Sequence, residues 1–320
     1  NPGGSLEEAI RFTGLFIKDG PIVLDRNPAG HVEVKYDPDP AQLYAGPLVV
    51  MVNRFSASAS EIAAAALQDY GRALVVGDIS THGKGTVQNL NPLRPFVRSA
   101  TATATNDPGA IKITIRKFYR VTGASTQLKG VMPDIVLPDV LNYSDQFGEG
   151  ALENPLPWDT IQPVNYDQLN LVQPYLAQLR KAAEARIATN QDFAYVRQDI
   201  EQFQKLQADK TATLNERTAI KERERNAARN QARDTERTAR KASDVKIYEI
   251  SVKNADLPGL VEATNQVATA TVAAHKKNTV ETALDDKKAP PPFDPMLDET
   301  KRILLDYISL LAQGNAPTRR

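Results

Sequence analysis

The sequence predicts an α/β core followed by a mainly α-helical C-terminal region. Short apolar runs rich in β-branched residues at 47–52 and 72–76 flank a run of strong helix formers at 62–67. This is the pattern of two buried parallel strands joined by a helix. After about residue 140 the composition changes to long polar stretches with helical periodicity. We therefore expect two domains, 1–140 and 141–320.

The first elements precede this unit. Asn1–Gly4 has the composition of a turn, and Ser5 begins a capping-box-like sequence for a helix over Leu6–Phe16. Segments 21–24 and 31–36 have strand composition and are separated by turn residues, so we expect them to form a hairpin.

The stretch 46–88 holds the residues best suited to chemistry. Ser58 lies among small hydroxylated residues just before Ile62, so we expect it at or near a helix start. Unpaired N–H groups and the positive end of the helix dipole favour negative charge there. The second strand leads into a glycine-punctuated loop, 77–85, that carries Lys84. In a parallel β-α-β unit both loops lie at the carboxyl ends of the strands, which brings Ser58 and Lys84 together.

The rest of the chain is simpler. Residues 89–107 are predicted to be a loop bordering the cleft, and Ile111–Val121 and 130–138 to be extended segments whose edge receives a peptide by β-augmentation. Residues 142–163, with the single Trp158, have the composition of a linker. Beyond it we expect helices at Tyr166–Thr189, Gln191–Asp209, Thr211–Ala242 and Met296–Gln313, and a strand at Lys246–Val252.

The helix predicted over 211–242 has one basic face. Acidic residues interleave with the basic ones and aromatic residues are absent, so a salt-bridged, solvated face is favoured over a nucleic-acid-binding one. The chain has 39 Lys and Arg against 39 Asp and Glu, so its net charge attracts neither nucleic acid nor an anionic membrane. The basic residues recur every fourth position: Arg225, Arg229, Arg233, Arg237 and Lys241.

Composition also excludes several kinds of site. The chain has no cysteine, which excludes disulfides, a thiolate nucleophile and thiolate metal ligands. Its three histidines, His31, His82 and His275, are scattered, so we expect no metal and no other cofactor. No apolar run approaches the ~20 residues that span a membrane as a helix, and no integral membrane segment is expected.

Three motifs in this region carry a family resemblance. Phe55-Ser-Ala-Ser-Ala-Ser-Glu-Ile62, Gln68-Asp-Tyr-Gly-Arg-Ala-Leu-Val-Val-Gly77 and Gly83-Lys-Gly-Thr-Val-Gln88 resemble the signature of the tail-specific, or carboxyl-terminal processing, serine proteases of bacterial periplasms. The resemblance extends from Asn1 through Pro138 and, more weakly, to 297–300. It implies a crotonase-like core and a serine endopeptidase with a Ser/Lys dyad that cuts proteins with apolar, unstructured C-terminal tails.

The resemblance also implies residue roles. The nucleophile is the second serine of the Ser-Ala-Ser-Ala-Ser-Glu motif, Ser58, and not Ser56 or Ser60. Lys84 is the general base, and Lys84 follows Ser58 by 26 residues, one more than in the family pattern. The remaining roles fall on Gln88, which orients the lysine, on the backbone N–H groups of Gly4 and Ala59, which form the oxyanion hole, and on Asp69, which has a supporting role.

A lysine base needs a lowered pKa. A free ammonium, with a pKa near ~10.4, does not accept a proton at neutral pH, and burial in apolar surroundings lowers that pKa by several units. Gln88 holds the amine without adding a negative charge that favours the ammonium. Each motif alone has an ordinary interpretation, a helix cap for the serines and a solvated turn for Gly-Lys-Gly. A Ser/His pair using His82 is the commoner chemistry, but the motif favours lysine and an exposed loop position for His82.

The resemblance carries expectations about context. It implies a periplasmic location, protein substrates with apolar C-termini and a lipoprotein adaptor. The Asn1–Gly4 turn lacks the strand that precedes it in the family, so we expect an internal fragment of a protein with an upstream PDZ-containing part. The alternative function is a catalytically silent scaffold that binds protein tails on the same fold.

Overall fold

The computed structural model describes residues 1–96, 107–209, 211, 213–240, 248–252, 255–259, 261–262 and 294–314. Its helices are α1 Leu6–Gly14, α2 Ala59–Asp69, α3 Leu176–Thr189, α4 Gln191–Asp209, α5 Glu216–Ala239 and α6 Pro295–Gly314. Its strands are β1 Pro21–Arg26, β2 Val32–Tyr36, β3 Val49–Val52, β4 Leu74–Gly77, β5 Thr86–Pro92, β6 Ala110–Tyr119, β7 Ile135–Val136, β8 Tyr248–Glu249 and β9 Val261–Glu262. Short 3₁₀ turns lie at Arg94–Phe96, Val140–Tyr143, Glu149–Ala151 and Gln173–Tyr175.

The predicted β-α-β unit is confirmed. Strands β3 and β4 pair in parallel, with Val50 opposite Val75, and α2 joins them. Strand β7 pairs in parallel with the other side of β4, which gives a three-stranded sheet of order β3-β4-β7. The β4 side chains Leu74, Val75 and Val76 are fully buried, as the apolar run predicts. This sheet and α2 fix where the chain leaves each strand toward the site.

The second sheet is antiparallel, with the order β2-β1-β6-β5. The predicted hairpin of β1 and β2 is confirmed. One other expectation is wrong. Residues 89–92, placed in a loop, belong to strand β5, because they pair along β6. Strand β6 pairs with β5 over Ala110–Lys117 but with β1 only over Lys117–Tyr119, so the binding of a peptide at an extended edge stays a prediction.

The C-terminal helices share a core with the parallel sheet. Leu74 and Leu137 pack in one buried cluster with Leu176, Leu179 and Ile303 from α3 and α6. By packing, residues 1–209 and α6 form one unit and residues 210–294 another. The domain division at about 140 stays a prediction, because residues on both sides of it pack in the first unit.

The helix predicted over Tyr166–Thr189 begins later, at Leu176. Pro174 has no backbone N–H to continue a helix from the residues before it, and it lies at the start of a 3₁₀ turn, Gln173–Tyr175, that precedes α3. In the second unit, α5 begins after the cap Asn215, whose side chain accepts from Thr218 N, and β8 pairs with β9. Three predictions lie outside the described residues: Lys241, His275 and residues 97–106, which make up most of the loop predicted at 89–107. None of the helices described is apolar enough over a sufficient length to cross a membrane.

Candidate active site

Ser58 lies at the sharp turn between β3 and α2, as N-cap of the helix. Its backbone has φ +57° and ψ −115°, a combination that residues other than glycine rarely adopt. A strained residue at a strand-to-helix turn is held there by its surroundings, and such residues cluster at functional sites. The prediction that Ser58 sits at the helix start is confirmed.

A buried carboxylate holds this turn, and the sequence analysis gave it no role. Glu61 is fully buried in the first turn of α2. Its Oε2 accepts from Ser58 N at 2.7 Å and from Lys84 N at 3.0 Å, and its Oε1 accepts from Gly83 N at 2.7 Å and from the Thr81 hydroxyl. One side chain therefore joins the nucleophile turn to the lysine loop through the backbones of Ser58 and Lys84.

The environment of Glu61 is unusual for a buried carboxylate, because none of the groups that donate a hydrogen bond to it carries a positive charge. Burial raises the pKa of Glu61 to about 7, against the hydroxyl and three backbone N–H groups that lower it. Desolvation disfavours the charged form, and dipolar donors offset that cost only in part.

Lys84 is half-buried, and its pKa is lowered from the ordinary value. Burial is the largest cause, and the nearby charge of Lys112 adds to it, whereas Glu149 and Glu61 act in the opposite direction. A lowered pKa increases the fraction of neutral amine near neutral pH, which is the form that accepts a proton.

The backbone around Lys84 is held from a second side. Gly85 N donates to Gln127 Oε1 at 2.8 Å, and the Thr126 hydroxyl donates to Lys84 O. Gln127 is fully buried. The lysine loop is thus fixed on both flanks by buried side chains that lie outside the motif itself.

The N-terminal turn lies against the nucleophile. Asn1 O accepts from Ala57 N at 3.2 Å and from the Ser60 hydroxyl at 2.9 Å. A Cβ added to Gly3, at φ +97°, would lie 2.9 Å from Ser58 Cβ and 3.0 Å from Ala59 N. Only a glycine permits this approach, so Gly3 is a site residue that the sequence analysis missed. The Gly3-Gly4 pair in the sequence pointed to a close approach of the backbone, but only Gly4 was given a role.

The proposed oxyanion donors have different surroundings. Ala59 N belongs to the first turn of α2, whose N–H groups have no acceptor within the helix. Gly4 is next to Gly3 in the turn and has open space where a side chain would be. The role of these two N–H groups stays a prediction.

Gln88 and Asp69 lie apart from this cluster. Gln88 is exposed on β5, after a register irregularity at Val87, and its Nε2 lies 3.4 Å from Thr114 Oγ1. Asp69 ends α2, about 16 Å along the helix from its start. There its carboxylate takes a bidentate hydrogen bond from Arg120. In this structure Asp69 holds the end of α2 through Arg120 and lies away from the candidate dyad. Its supporting role and the orienting role of Gln88 stay predictions.

His82 does not occupy the exposed position expected for it. Its side chain is 29% exposed, and Nδ1 is buried 3.7 Å from Glu149 Oε2 with no hydrogen-bond partner among the described residues. Burial lowers the pKa of His82, and the Glu149 carboxylate opposes this. The one-residue insertion therefore does not place His82 in solvent.

An apolar cavity opens beside the nucleophile. It has a volume of about 500 Å³ and lies between α1, β3 and α2, next to Gly3, Gly4 and Ala59. Its walls are mainly apolar, including Phe12, Leu48, Val50, Ala63 and Leu67. No group of three or more His, Cys, Asp or Glu is placed to bind a metal within the described part of the chain.

Comparisons with known proteins give the family of this chain. Residues 1–137 match Peptidase family S41, and residues 143–309 match the C-terminal domain of tail specific protease. The tail-specific protease of Haemophilus influenzae is 39% identical over 232 residues, covering 72% of this chain and 32% of that protein. The carboxy-terminal-processing protease of Bartonella bacilliformis is 37% identical over 158 residues, covering 48% of this chain and 33% of that protein.

Among solved structures, the photosystem II D1 C-terminal processing protease is 29% identical, with a TM-score of 0.34, and the match covers 43% of this chain and 32% of that one. The chain spans about a third of the length of the curated relatives it matches. The first family match gives the class of the first part of the chain: residues 1–137, which hold most of the α/β core, match Peptidase family S41. Within that class the chain belongs to the tail-specific protease family, since its second half matches their C-terminal domain.

Proposed function

We propose that this chain carries the catalytic centre of a serine endopeptidase with a Ser58/Lys84 dyad. The observation that carries the proposal is the Glu61 carboxylate, which accepts from the backbone of both residues. A strained serine at a helix start and a half-buried lysine of lowered pKa on the facing loop support it.

In the proposed reaction Ser58 Oγ attacks the peptide carbonyl carbon while its proton passes to the neutral Lys84 amine. The N–H groups of Ala59 and Gly4 stabilise the oxyanion. The C–N bond then breaks, and the leaving amine takes the proton from Lys84, which leaves an acyl-enzyme on Ser58. Water, deprotonated by Lys84, hydrolyses the ester and restores the serine.

The proposed substrates are proteins with apolar, unstructured C-terminal tails. The cavity of about 500 Å³ beside Ala59 supports this class, because its mainly apolar lining binds an apolar side chain better than a charged one. We also propose a periplasmic location, a lipoprotein adaptor and an upstream PDZ-containing part of the same protein, as in the resembled family. Cell fractionation followed by immunodetection tests the location.

Hydrolysis is tested with two unfolded substrates that differ only in an apolar or a charged C-terminus. The full-length wild-type protein should cleave the apolar-tailed substrate faster, and Ser58→Ala should abolish cleavage. The matched control is Ser309→Ala, because the Ser309 hydroxyl is exposed on α6, donates to Leu305 O and takes no part in the proposed chemistry. Cleavage by Ser58→Ala at the wild-type rate contradicts the proposal. Tail binding without cleavage by the wild type supports the scaffold alternative.

A further inference from the structure

A short segment that follows the residues of the protease match contacts the nucleophile turn. Phe147 O accepts from Arg54 Nη2 at 2.7 Å, and the Phe147 ring packs edge-on against Phe55 at 5.2 Å between centroids. Arg54 Nη1 also donates to Ser80 Oγ at 2.6 Å. A single guanidinium therefore connects the start of the nucleophile turn, the lysine loop and residue 147.

The same segment contacts the lysine loop through Glu149. Its backbone N donates to His82 O at 2.8 Å, and its buried carboxylate accepts from Gln127 Nε2 at 3.0 Å. Gln127 Nε2 also donates to Leu156 O, at 3.1 Å. Both acceptors face the amide nitrogen, so the amide oxygen must point the other way, toward Gly85 N. Glu149 thus fixes the amide orientation that holds the backbone next to Lys84.

Gly148 is what allows the segment to come so close. It has φ +98°, and an added Cβ would lie 2.9 Å from Arg54 Nη2 and 3.0 Å from His82 O. Gly150, two residues later, has open space at the same point and no positive φ. The chain therefore offers a matched pair of glycines, one that the contact requires and one that it does not.

We propose that residues 147–149, here named the clasp, hold the nucleophile turn and the lysine loop in register, and that Glu149 is a positioning residue for Lys84. The positioning role rests on the proposed function of Lys84. The clasp lies in the C-terminal family match, whereas the two loops lie in the protease match. The first residues of the C-terminal family match thus pack in the same unit as the two loops and contribute to the proposed catalytic centre.

The first test compares Gly148→Ala with Gly150→Ala in the full-length protein. Gly148→Ala should lower kcat on the order of 10²-fold with little change in KM, because it displaces the reacting groups rather than the binding surface. Backbone hydrogen exchange of peptides covering 80–86 should speed up at least ~10-fold in the same variant, since the Gly85 N–H loses its fixed acceptor. Gly150→Ala should match the wild type in both. Wild-type kcat and exchange in Gly148→Ala overturn the clasp.

The second test uses Glu149→Gln, which keeps an acceptor oxygen for Gln127 Nε2 and removes the charge. The titratable groups near Lys84 are Lys112, Glu61, Glu149 and His82, and Glu149 favours the ammonium. Because Glu149 Oε2 also lies 3.7 Å from His82 Nδ1, the pH profile is measured in a His82→Ala background as well. The acid limb of kcat/KM should therefore move to lower pH in Glu149→Gln, while Glu149→Ala should also lose on the order of 10-fold or more in kcat. Glu149→Gln should keep the wild-type kcat, because its amide oxygen still accepts from Gln127 Nε2, and this rescue distinguishes positioning from a loss of packing. Wild-type kcat in Glu149→Ala, or an equal loss of kcat in Glu149→Gln, contradicts the positioning role.

The two proposals fail in different ways. If the wild type shows no Ser58-dependent hydrolysis, the proposed function fails, and hydrogen exchange at 80–86 in Gly148→Ala still decides the clasp. If Gly148→Ala does not fold, Glu149→Ala supplies the exchange measurement. Hydrolysis that depends on Ser58 but is indifferent to residues 148 and 149 rejects the clasp alone.

Discussion

Helix α2 carries a buried carboxylate near each end, and the two are held in different ways. Glu61, near the N-terminal end, accepts from three backbone N–H groups and one hydroxyl, all of them neutral. Asp69, at the C-terminal end, takes a bidentate hydrogen bond from the guanidinium of Arg120. The same helix therefore has a neutral network at the candidate site and an ion pair away from it.

The difference indicates what each end does. An ion pair at Asp69 fastens α2 to the residues after β6, and the Arg120 guanidinium opposes the burial that raises the pKa of Asp69. The neutral donors around Glu61 place two loops against each other without adding a fixed cation beside Lys84, and they leave the Glu61 pKa raised to about 7. Changes at the first turn of α2 should therefore alter chemistry, and changes at its last turn should alter stability.

The largest expected effect is that of Lys84→Arg. Guanidinium keeps the charge but does not deprotonate in a protein, so the proposed base is lost, and kcat should fall by about 10²–10⁴-fold. Lys112→Arg is the matched control, because Lys112 acts on Lys84 only through its charge, which arginine preserves. Steady-state kinetics of both variants make the measurement. Comparable turnover by Lys84→Arg and Lys112→Arg would remove lysine from the mechanism.

Asp69→Ala tests the other end of the helix. It leaves Arg120, whose side chain is 19% exposed, without its partner, so unfolding free energy should fall by about 3 kcal/mol while kcat per folded molecule is retained. Replacing both partners by apolar residues, Asp69→Leu with Arg120→Met, should cost less than the single change. Denaturant unfolding and active-site titration separate the two quantities. A loss of kcat without loss of stability would bring Asp69 back into the site.

Glu61→Gln should affect both quantities. The new amide N–H₂ must face one of the donors that the carboxylate accepted, which should cost about 1–3 kcal/mol of stability and lower kcat. The pH dependence gives a sharper test. The folded pKa of about 7 lies above the ordinary 4.5, so the stability contributed by the protonated group is fully present below pH 4.5 and is lost as pH rises through 7.

The wild-type unfolding free energy should therefore decline across that window, and Glu61→Gln should lack this component of the slope. Thermal or denaturant unfolding at closely spaced pH values measures it. Equal slopes in the two proteins would mean that donors at Glu61 outweigh its burial.

Much of this arrangement could be predicted from local sequence. The apolar runs around α2 and the small residues before it place Ser58 at the helix start, because period and turn chemistry are local properties. The hydrogen bonds of Glu61 and the contacts of Glu149 join residues that are far apart in the chain. Periodicity and motif spacing in the sequence do not predict such contacts. The role of Gly3 depends on the approach of the Ser58 turn, which is equally non-local.

Pairing explains the errors in the fold. Residues 89–92 look polar enough for a loop, but pairing with β6 makes them a strand, since context outweighs β-propensity. Helices α3 and α6 have mixed faces whose apolar residues pack with Leu74 and Leu137. The composition of such a helix shows that one face is polar, but it does not show which other element its apolar face packs against.

The smallest expected effect is that of Gln88→Glu, because position 88 is exposed and its amide lies against Thr114. A carboxylate there favours the Lys84 ammonium, so the acid limb of kcat/KM should move to higher pH, by less than one unit since solvent and salt screen the interaction. The plateau kcat at high pH should be retained. Asn89→Asp is the matched control, as it adds the same charge at the next strand residue, on the opposite face. An equal shift in both variants would mean a general charge effect, and no shift in Gln88→Glu would end the orienting role of Gln88. A fall of the plateau in Gln88→Glu alone would show that the amide contacts Lys84 during the reaction.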